Sequence, residues 1–172
     1  DISVLELFHG PTMAFKDVGA RFTSRVLSYF NLSSKKKITV LVATSGDTGA
    51  AVASGFYGVE GVDVFILFPK DRISKVQEKQ ITSLSDNIYP VEVNGSFDDC
   101  QRMVKEALTD NDLRSKFNFT TANSINISRW IPQTLYYFFA YKQKTDNGKD
   151  IAVSIPSGNF GNLFSCLVAV GM

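Results

Sequence analysis

Apolar positions along the chain alternate between two periods. Phe15, Val18, Gly19, Phe22, Val26, Tyr29 and Phe30 recur at helical spacing, which predicts a helix over about 16–31. Ile38 to Ala43 is a short, continuously apolar run, as expected of a parallel strand buried on both faces. A helix rich in small residues follows, with Gly49, Ala50, Ala51, Ala53, Ser54 and Gly55, a composition that permits close packing on a sheet. Val62 to Phe68 predicts a second buried strand stopped by Pro69, Ser74 to Leu84 a helix, and Ile88 to Val93 a third strand. Ser96 has the character of an N-cap, with Asp98 and Asp99 where a helix dipole favours acids. Phe97, Cys100, Val104, Ala107 and Leu108 form the inner face of that helix.

Phe117 to Thr121 predicts a short strand. Ile127, Trp130, Ile131, Leu135, Phe138 and Tyr141 keep helical spacing, with a break near 131 forced by Pro132. Thr145 to Asp150 is a polar loop, Asp150 to Ile155 a further strand, and Asn162 to Val170 a helix. This rhythm predicts an α/β fold of parallel sheets with helices on both faces. A domain boundary is expected near 110–125, and neither repeats nor low-complexity tracts interrupt the chain.

The sequence has 172 residues, enough to bury a sizeable core, and a net charge of +1 that offers nothing to nucleic acid. The basic run Lys35-Lys36-Lys37 reads as a solvated turn. No apolar stretch is long enough to span a bilayer, and no signal-peptide pattern opens the chain. Cys100 and Cys166 match no metal-ligand spacing. Two free thiols filling core positions in the cytoplasm are expected. His9 is the single histidine, so Ser-His pairs and multi-histidine metal sites are nearly excluded and no metal is expected. The chain begins at Asp1 and ends inside an apolar helical pattern, as a piece of a longer protein would.

Candidate chemistry centres on Leu5-Glu6-Leu7-Phe8-His9-Gly10-Pro11-Thr12-Met13-Ala14-Phe15-Lys16-Asp17. A lysine in an apolar stretch at a helix start loses hydration. Its pKa falls, and the neutral amine can attack a carbonyl. A surface lysine paired with Asp17 is the simpler alternative for any one lysine. Three later segments decide between them. Ser157-Gly158-Asn159-Phe160-Gly161-Asn162 follows an apolar run and opens a helix, where glycines and the helix N-terminus can cradle a phosphate. It has neither the Walker A lysine nor the spacing of the dinucleotide fingerprint. Thr44-Ser45-Gly46-Asp47-Thr48-Gly49 has the same topology. Asn123-Ser124-Ile125-Asn126-Ile127-Ser128-Arg129 adds amides, hydroxyls and a guanidinium suited to phosphate. Taken singly, the last two read first as ordinary capped helix starts, with Thr44, Ser45 or Asp47 as the cap of one and Ser124 or Asn126 of the other. The Ser157 segment, also readable as a strand-to-helix turn that needs Gly, favours phosphate through its interleaved asparagines and preceding apolar run. In order on one α/β framework, a nucleophilic lysine and anion-cradling loops point to pyridoxal phosphate (PLP).

Phe8-His9-Gly10-Pro11-Thr12-Met13-Ala14-Phe15-Lys16-Asp17 resembles the PLP-lysine motif of the threonine synthase family. Ala43 to Gly49, Asn123 to Asn126 and Pro156 to Asn162 resemble that family's later motifs in the same order, so the resemblance spans nearly the whole chain. It implies the fold type II (tryptophan-synthase-β-like) architecture, with residues 1–120 mostly in a smaller α/β domain and 121–172 beginning the larger cofactor-binding domain. Lys16 would carry the Schiff base and act as catalytic base. Gly158, Asn159, Phe160, Gly161 and Asn162 would hold the cofactor phosphate, and Asp47 would face the cofactor ring. Ser45, Gly46, Thr48 and Gly49 would bind the substrate carboxylate. Ser45, Thr48, Asn123, Ser124 and Arg129 would take the substrate phosphate. The implied reaction converts O-phospho-L-homoserine and water to L-threonine and phosphate. A phospho-lyase with the same motifs, a non-catalytic binding fragment and a PLP-free phosphate-binding domain are the alternatives. Many relatives in the wider fold carry Asn at the position of Asp47. The hydroxyl that such enzymes place on the pyridine nitrogen comes from a C-terminal part outside this chain, so the fragment alone is expected to be inactive.

Overall fold

The computed structural model describes residues 2–33, 36–144 and 151–172. Four parallel strands, β1 (Ile38–Ala43), β2 (Val62–Pro69), β3 (Ile88–Val93) and β4 (Asn118–Thr121), form one sheet in the order β3-β2-β1-β4. The helices are α1 (Lys16–Asn31), α2 (Asp47–Phe56), α3 (Lys75–Thr82), α4 (Phe97–Thr109), α5 (Asn111–Lys116), α6 (Thr134–Lys144) and α7 (Gly161–Val170). Two 3-10 turns, Ile127–Arg129 and Ile131–Gln133, lead into α6.

The alternation of side chains along each strand sorts the core into two layers. Val40 and Val42 of β1 and Val64, Ile66 and Phe68 of β2 pack with Ala50 to Ala53 and Phe56 of α2, Ala20 of α1 and Ile81 of α3. On the other face, Leu41, Ala43 and Leu67 pack with Cys100 and Val104 of α4. Helices therefore cover both faces, as the continuous apolar runs require. β1 is buried at every position because it lies between two neighbours, whereas β3 is half-exposed at the edge. Edge placement is what lets β3 accommodate Pro90, which has no ladder donor.

Local chemistry sets the helix starts. Ser74 and Ser96 each cap a helix and form reciprocal capping boxes with Gln77 and Asp99. Ser74 is thus the cap of α3, not its first residue. Pro132 breaks the expected long helix: its ring disfavours helical geometry before it, and the chain takes two 3-10 turns instead.

One expected element is absent. Residues 151–155 are mostly exposed and pair with no strand among the described residues. An apolar run becomes a strand only where a neighbour completes its ladder, and none of the four strands lies beside it. Asp150, the rest of the expected loop over 145–150, and Lys35 lie outside the described residues. Among those described, no helix is long and apolar enough to cross a membrane. Both Cys100 and Cys166 are free and buried, as expected.

Glycines set how closely α1 can be gripped. A Cβ on Gly19 would lie 2.2 Å from the backbone carbonyl of Arg129, and one on Gly55 would meet the Ala20 backbone at 3.0 Å. Backbone cannot yield as a side-chain tip can. Gly19→Ala in the full-length protein carrying this chain should therefore cost about 1–3 kcal/mol, read as a lower urea midpoint. Val18→Ala, at an exposed neighbouring position, should change that midpoint little.

Candidate active site

The segment before Lys16 is folded onto the start of α1. The Met13 amide donates to the Gly10 carbonyl (3.0 Å), closing a turn through Pro11, and Met13 takes a positive φ of 55°. The buried Asp17 carboxylate accepts from the Thr12 amide (3.0 Å) and the Thr12 hydroxyl (2.5 Å). Asp17 thus holds the Gly-Pro-Thr turn rather than serving simply as a surface partner for Lys16. Gly10 is required here, since a Cβ would fall 2.2 Å from an Asp17 oxygen. The Tyr136 hydroxyl of α6 donates to the Phe15 carbonyl (2.6 Å), tying the segment to the C-terminal half.

Lys16 is half-buried, and burial lowers its pKa below the ordinary lysine value. Asp47 opposes that shift and the Arg129 guanidinium adds to it. The structure therefore brings Lys16, Asp47 and Arg129, from three separate segments, within electrostatic reach of one another. Arg129 is itself buried, and burial lowers its pKa to about 10 against the opposing charge of Asp17. Its Nη1 donates to the Ala122 carbonyl, while its Nε has no partner.

The loop after β1 is organised by a residue read from sequence only as a possible cap. The Thr44 Oγ1 accepts from the amides of Gly46 (2.9 Å) and Gly49 (2.8 Å) and donates to the Gly46 carbonyl (3.1 Å). Gly46 and Gly49 therefore spend their N–H groups on the fold. Ser45 and Asp47 are exposed and Thr48 half-exposed. The amides of Asp47 and Thr48, in the first turn of α2, have no carbonyl to bond within the helix. Asp47 Oδ1 accepts from Gln77 Nε2 at 2.6 Å.

The Asn123 amide is spent as well. Its Nδ2 donates to the Ala43 carbonyl (2.7 Å) and its Oδ1 accepts from the Ala43 amide (3.1 Å), so it clamps the end of β1 to the chain leaving β4. Ser124 is exposed, and its Cβ lies 4.0 Å from the place of a Gly161 Cβ. That contact brings the 123–129 segment against the start of α7. Tyr137 holds the same helix start, donating to the Asn162 backbone carbonyl (3.1 Å) and side-chain oxygen. Gly158 has nothing within 4 Å of a Cβ position, and Asn159 and Phe160 are exposed. Phe160 adopts a left-handed φ of 56° just before α7. The loop is open on its outer side among the described residues.

Two observations fit a phosphorylated aldehyde here. The Ser157 hydroxyl is buried without a partner directly before the glycine loop, and a buried polar atom needs one. The amine of Lys16 is held partly out of water beside an acid and a buried cation. No group of three or more His, Cys, Asp or Glu side chains able to hold a metal occurs among the described residues. A separate open hollow of about 450 Å3, lined by Lys70, Asp71, Arg72, Glu92, Asn94 and Gly95, contains none of the residues expected from the motifs.

A fold with parallel strands, glycine loops at helix starts and a desolvated lysine defines a cofactor-binding α/β enzyme class. The family model described as pyridoxal-phosphate dependent enzyme matches residues 3–171, and the chain belongs to that family. It is 51% identical over 170 residues to a threonine synthase of Buchnera aphidicola, covering 98% of this chain and 40% of the relative. It is 52% identical over 173 residues to the Haemophilus influenzae threonine synthase, again covering 98% of this chain and 40% of the relative. The PLP-bound threonine synthase of Brucella melitensis superposes with a TM-score of 0.87 at 40% identity, over 97% of this chain and 36% of that one. The chain thus spans about 40% of the length of the curated relatives it matches.

Gln77, Thr44, Tyr136 and Tyr137 were not among the expected site residues. A signal for Gln77 was present: Ser74-Lys75-Val76-Gln77 has capping-box spacing. The electrostatics give a signed expectation for Lys16. Asp47→Asn removes the charge that holds its pKa up, so acylation of residue 16, followed by mass spectrometry against pH, should begin at lower pH. Arg129→Gln should move that onset to higher pH.

Proposed function

We propose that the full-length protein containing this chain is a threonine synthase, converting O-phospho-L-homoserine and water to L-threonine and phosphate. The observation that carries the reading is the desolvated Lys16 amine beside Asp47 and Arg129, in a chain about half identical to threonine synthases. In this reading residues 1–120 form a smaller domain around the four-stranded sheet, and 121–172 begin a larger cofactor-binding one. The sheet ends at Thr121, which supports that division.

Lys16 would hold the cofactor aldehyde, and Gly158, Asn159, Phe160, Gly161 and Asn162, with the Ser157 hydroxyl, its phosphate. When bound, PLP supplies an electron sink for charge developing beside the amino group. Lys16 Nζ serves as the base that takes the substrate proton at Cα and then at Cβ. Over the reaction the C–O bond at Cγ breaks and phosphate leaves. Cγ then gains a proton, the oxygen of water bonds to Cβ as the water gives up one proton, and Cα regains its proton, so that the three protons removed go to Cγ, Cα and the departing phosphate. Ser45, Thr48 and Ser124, being accessible, are the groups proposed to contact the departing phosphate. Arg129, buried and within electrostatic reach of Lys16, would add positive charge there, and its Nε is without a partner. Gly46 and Gly49 shape the carboxylate-binding loop through Thr44, and Asn123 fixes its distance from β4. Two buried free thiols suit a cytoplasmic enzyme.

Borohydride reduction of the PLP-treated full-length protein, followed by peptide mapping, should place a pyridoxyl group on Lys16. Lys16→Ala should lose it, with turnover reduced by several orders of magnitude. Full turnover in Lys16→Ala overturns the assignment. A keto acid in place of threonine as product redirects it to a phospho-lyase.

A further inference from the structure

Two neighbouring tyrosines on α6 reach the two ends of the candidate site. The Tyr136 hydroxyl donates to the carbonyl of Phe15 (2.6 Å), the residue before Lys16 and the N-cap of α1. The Tyr137 hydroxyl meets Asn162, at its backbone carbonyl (3.1 Å) and its side-chain oxygen, where the 158–162 loop enters α7. Burial pushes the Tyr137 phenol up to about 12 and moves that of Tyr136 upward as well, so both keep the hydrogen they donate at neutral pH. The helix that carries them is itself anchored. Gln133 Nε2 donates to the Arg129 carbonyl (3.0 Å), and the buried Ser165 hydroxyl lies against the carbonyls of Trp130 (2.7 Å) and Gly161 (2.8 Å). Trp130 and Phe164 meet edge to face, with ring centroids 4.7 Å apart. The 3-10 turns and the starts of α6 and α7 therefore form one cross-linked block. That block already seats α1 one turn along, through the Arg129 carbonyl at Gly19 and the Thr23–Ser128 pair. What the Tyr136 bond adds is a fixed point at the residue from which Lys16 departs.

Adjacent residues have Cα atoms about 3.8 Å apart, so the route Phe15–Tyr136–Tyr137–Asn162 crosses the site through two side chains and one peptide. A change in the separation of its ends strains or breaks one of the two hydrogen bonds. We propose that Tyr136 and Tyr137 act together as positioning residues that set the separation between Lys16 and the 158–162 loop, so that the site selects a ligand carrying an aldehyde and a phosphate at that span. This rests on the reading in which Lys16 takes the aldehyde and the loop the phosphate, and adds selection by length to it. A ligand held at both ends gains from a preset separation, because its second contact forms at high effective concentration. A ligand held at the lysine alone gains nothing from it. Losing either bond frees the separation, so losing both weakens binding little more than losing one.

The test uses the full-length protein and two aldehydes that differ only in the phosphate, PLP and pyridoxal. The fraction of Lys16 labelled after borohydride reduction is followed by peptide mass mapping against ligand concentration. The unaltered protein is compared with Tyr136→Phe, Tyr137→Phe, the double variant and Tyr141→Phe. Each of the first two should need about fivefold to tenfold more PLP for half-labelling, with the pyridoxal midpoint within about twofold of the unaltered value. The double variant should match the singles rather than multiply them. Tyr141→Phe, at an exposed position on the same helix, should move neither ligand. Equal weakening of PLP and pyridoxal reduces the pair to supports of the fold and overturns the proposal. So does an unmoved PLP midpoint, or a double variant whose loss is the product of the single losses, the mark of two separate local contacts. If one single variant does not fold, the other still decides through its ratio of PLP to pyridoxal midpoints. Lys16 unlabelled by PLP in the unaltered protein is a different result: the cofactor reading itself fails and the proposal with it.

Discussion

The position of α1 is the constraint on which the site depends. Two backbone contacts grip the helix, one through its own Gly19 against the Arg129 carbonyl and one through Gly55 of α2 against Ala20. A hydroxyl pair, Thr23 and Ser128 at 3.0 Å, lies along the first contact. Because both contacts are backbone to backbone, the helix has little freedom to slide or roll without a clash. That fixes where its first residue, Lys16, stands relative to the first residue of α2, Asp47, and to Arg129. A charge arrangement usually ascribed to side chains is here set by the absence of two Cβ atoms.

Electrostatics then follow from burial. A lysine amine taken partly out of water favours its neutral form, and a nearby guanidinium favours it further, while Asp47 restrains the shift. Arg129 can remain charged in a buried place because Asp17 opposes its loss of hydration and Ala122 accepts a hydrogen bond from it. Asp17 in turn carries two donors from Thr12. The Gly-Pro-Thr turn, the acid after the lysine and the distant arginine are thus one electrostatic unit. Removing Asp17 would free the turn and strand a buried cation, so its effect would reach beyond either role alone.

Much of this was legible in the sequence for one reason: local signals and burial agreed. β1, α1, β3 and α4 coincide with the expected elements: β1 through its unbroken apolar run, α1 through its apolar period, β3 through pairing with β2 at the edge, and α4 through its local capping box. The 151–155 run forms no strand among the described residues because apolar character specifies burial, while a strand needs a partner that the run itself cannot specify. Lys16, Asp47 and Arg129 were legible as residues through their motifs. Their roles were less so. Asn123 and the amides of Gly46 and Gly49 look like ligand groups in a motif, yet they bond Ala43 and Thr44. Gln77 shows the reverse case, since its capping box hid a second contact made by the same side chain across two helices.

The loop after β1 divides into groups spent on the fold and groups left accessible. Thr44 consumes two amides and Gln77 consumes one carboxylate oxygen, while the amides of Asp47 and Thr48 have no carbonyl to bond within the helix. Ser45 is exposed and Thr48 half-exposed, and the exposed Ser124 lies beside the start of α7. The Thr44 bonds hold the backbone of this loop in place within the chain itself. The glycine loop at 158–162 contrasts with it. Its helical end is tied down, by Tyr137 at Asn162 and by Ser165 at the Gly161 carbonyl, whereas a Cβ on Gly158 would have no neighbour within 4 Å. Among the described residues the segment before Lys16 is therefore held by side-chain hydrogen bonds within the chain, whereas the 158–162 loop is held at its helical end alone.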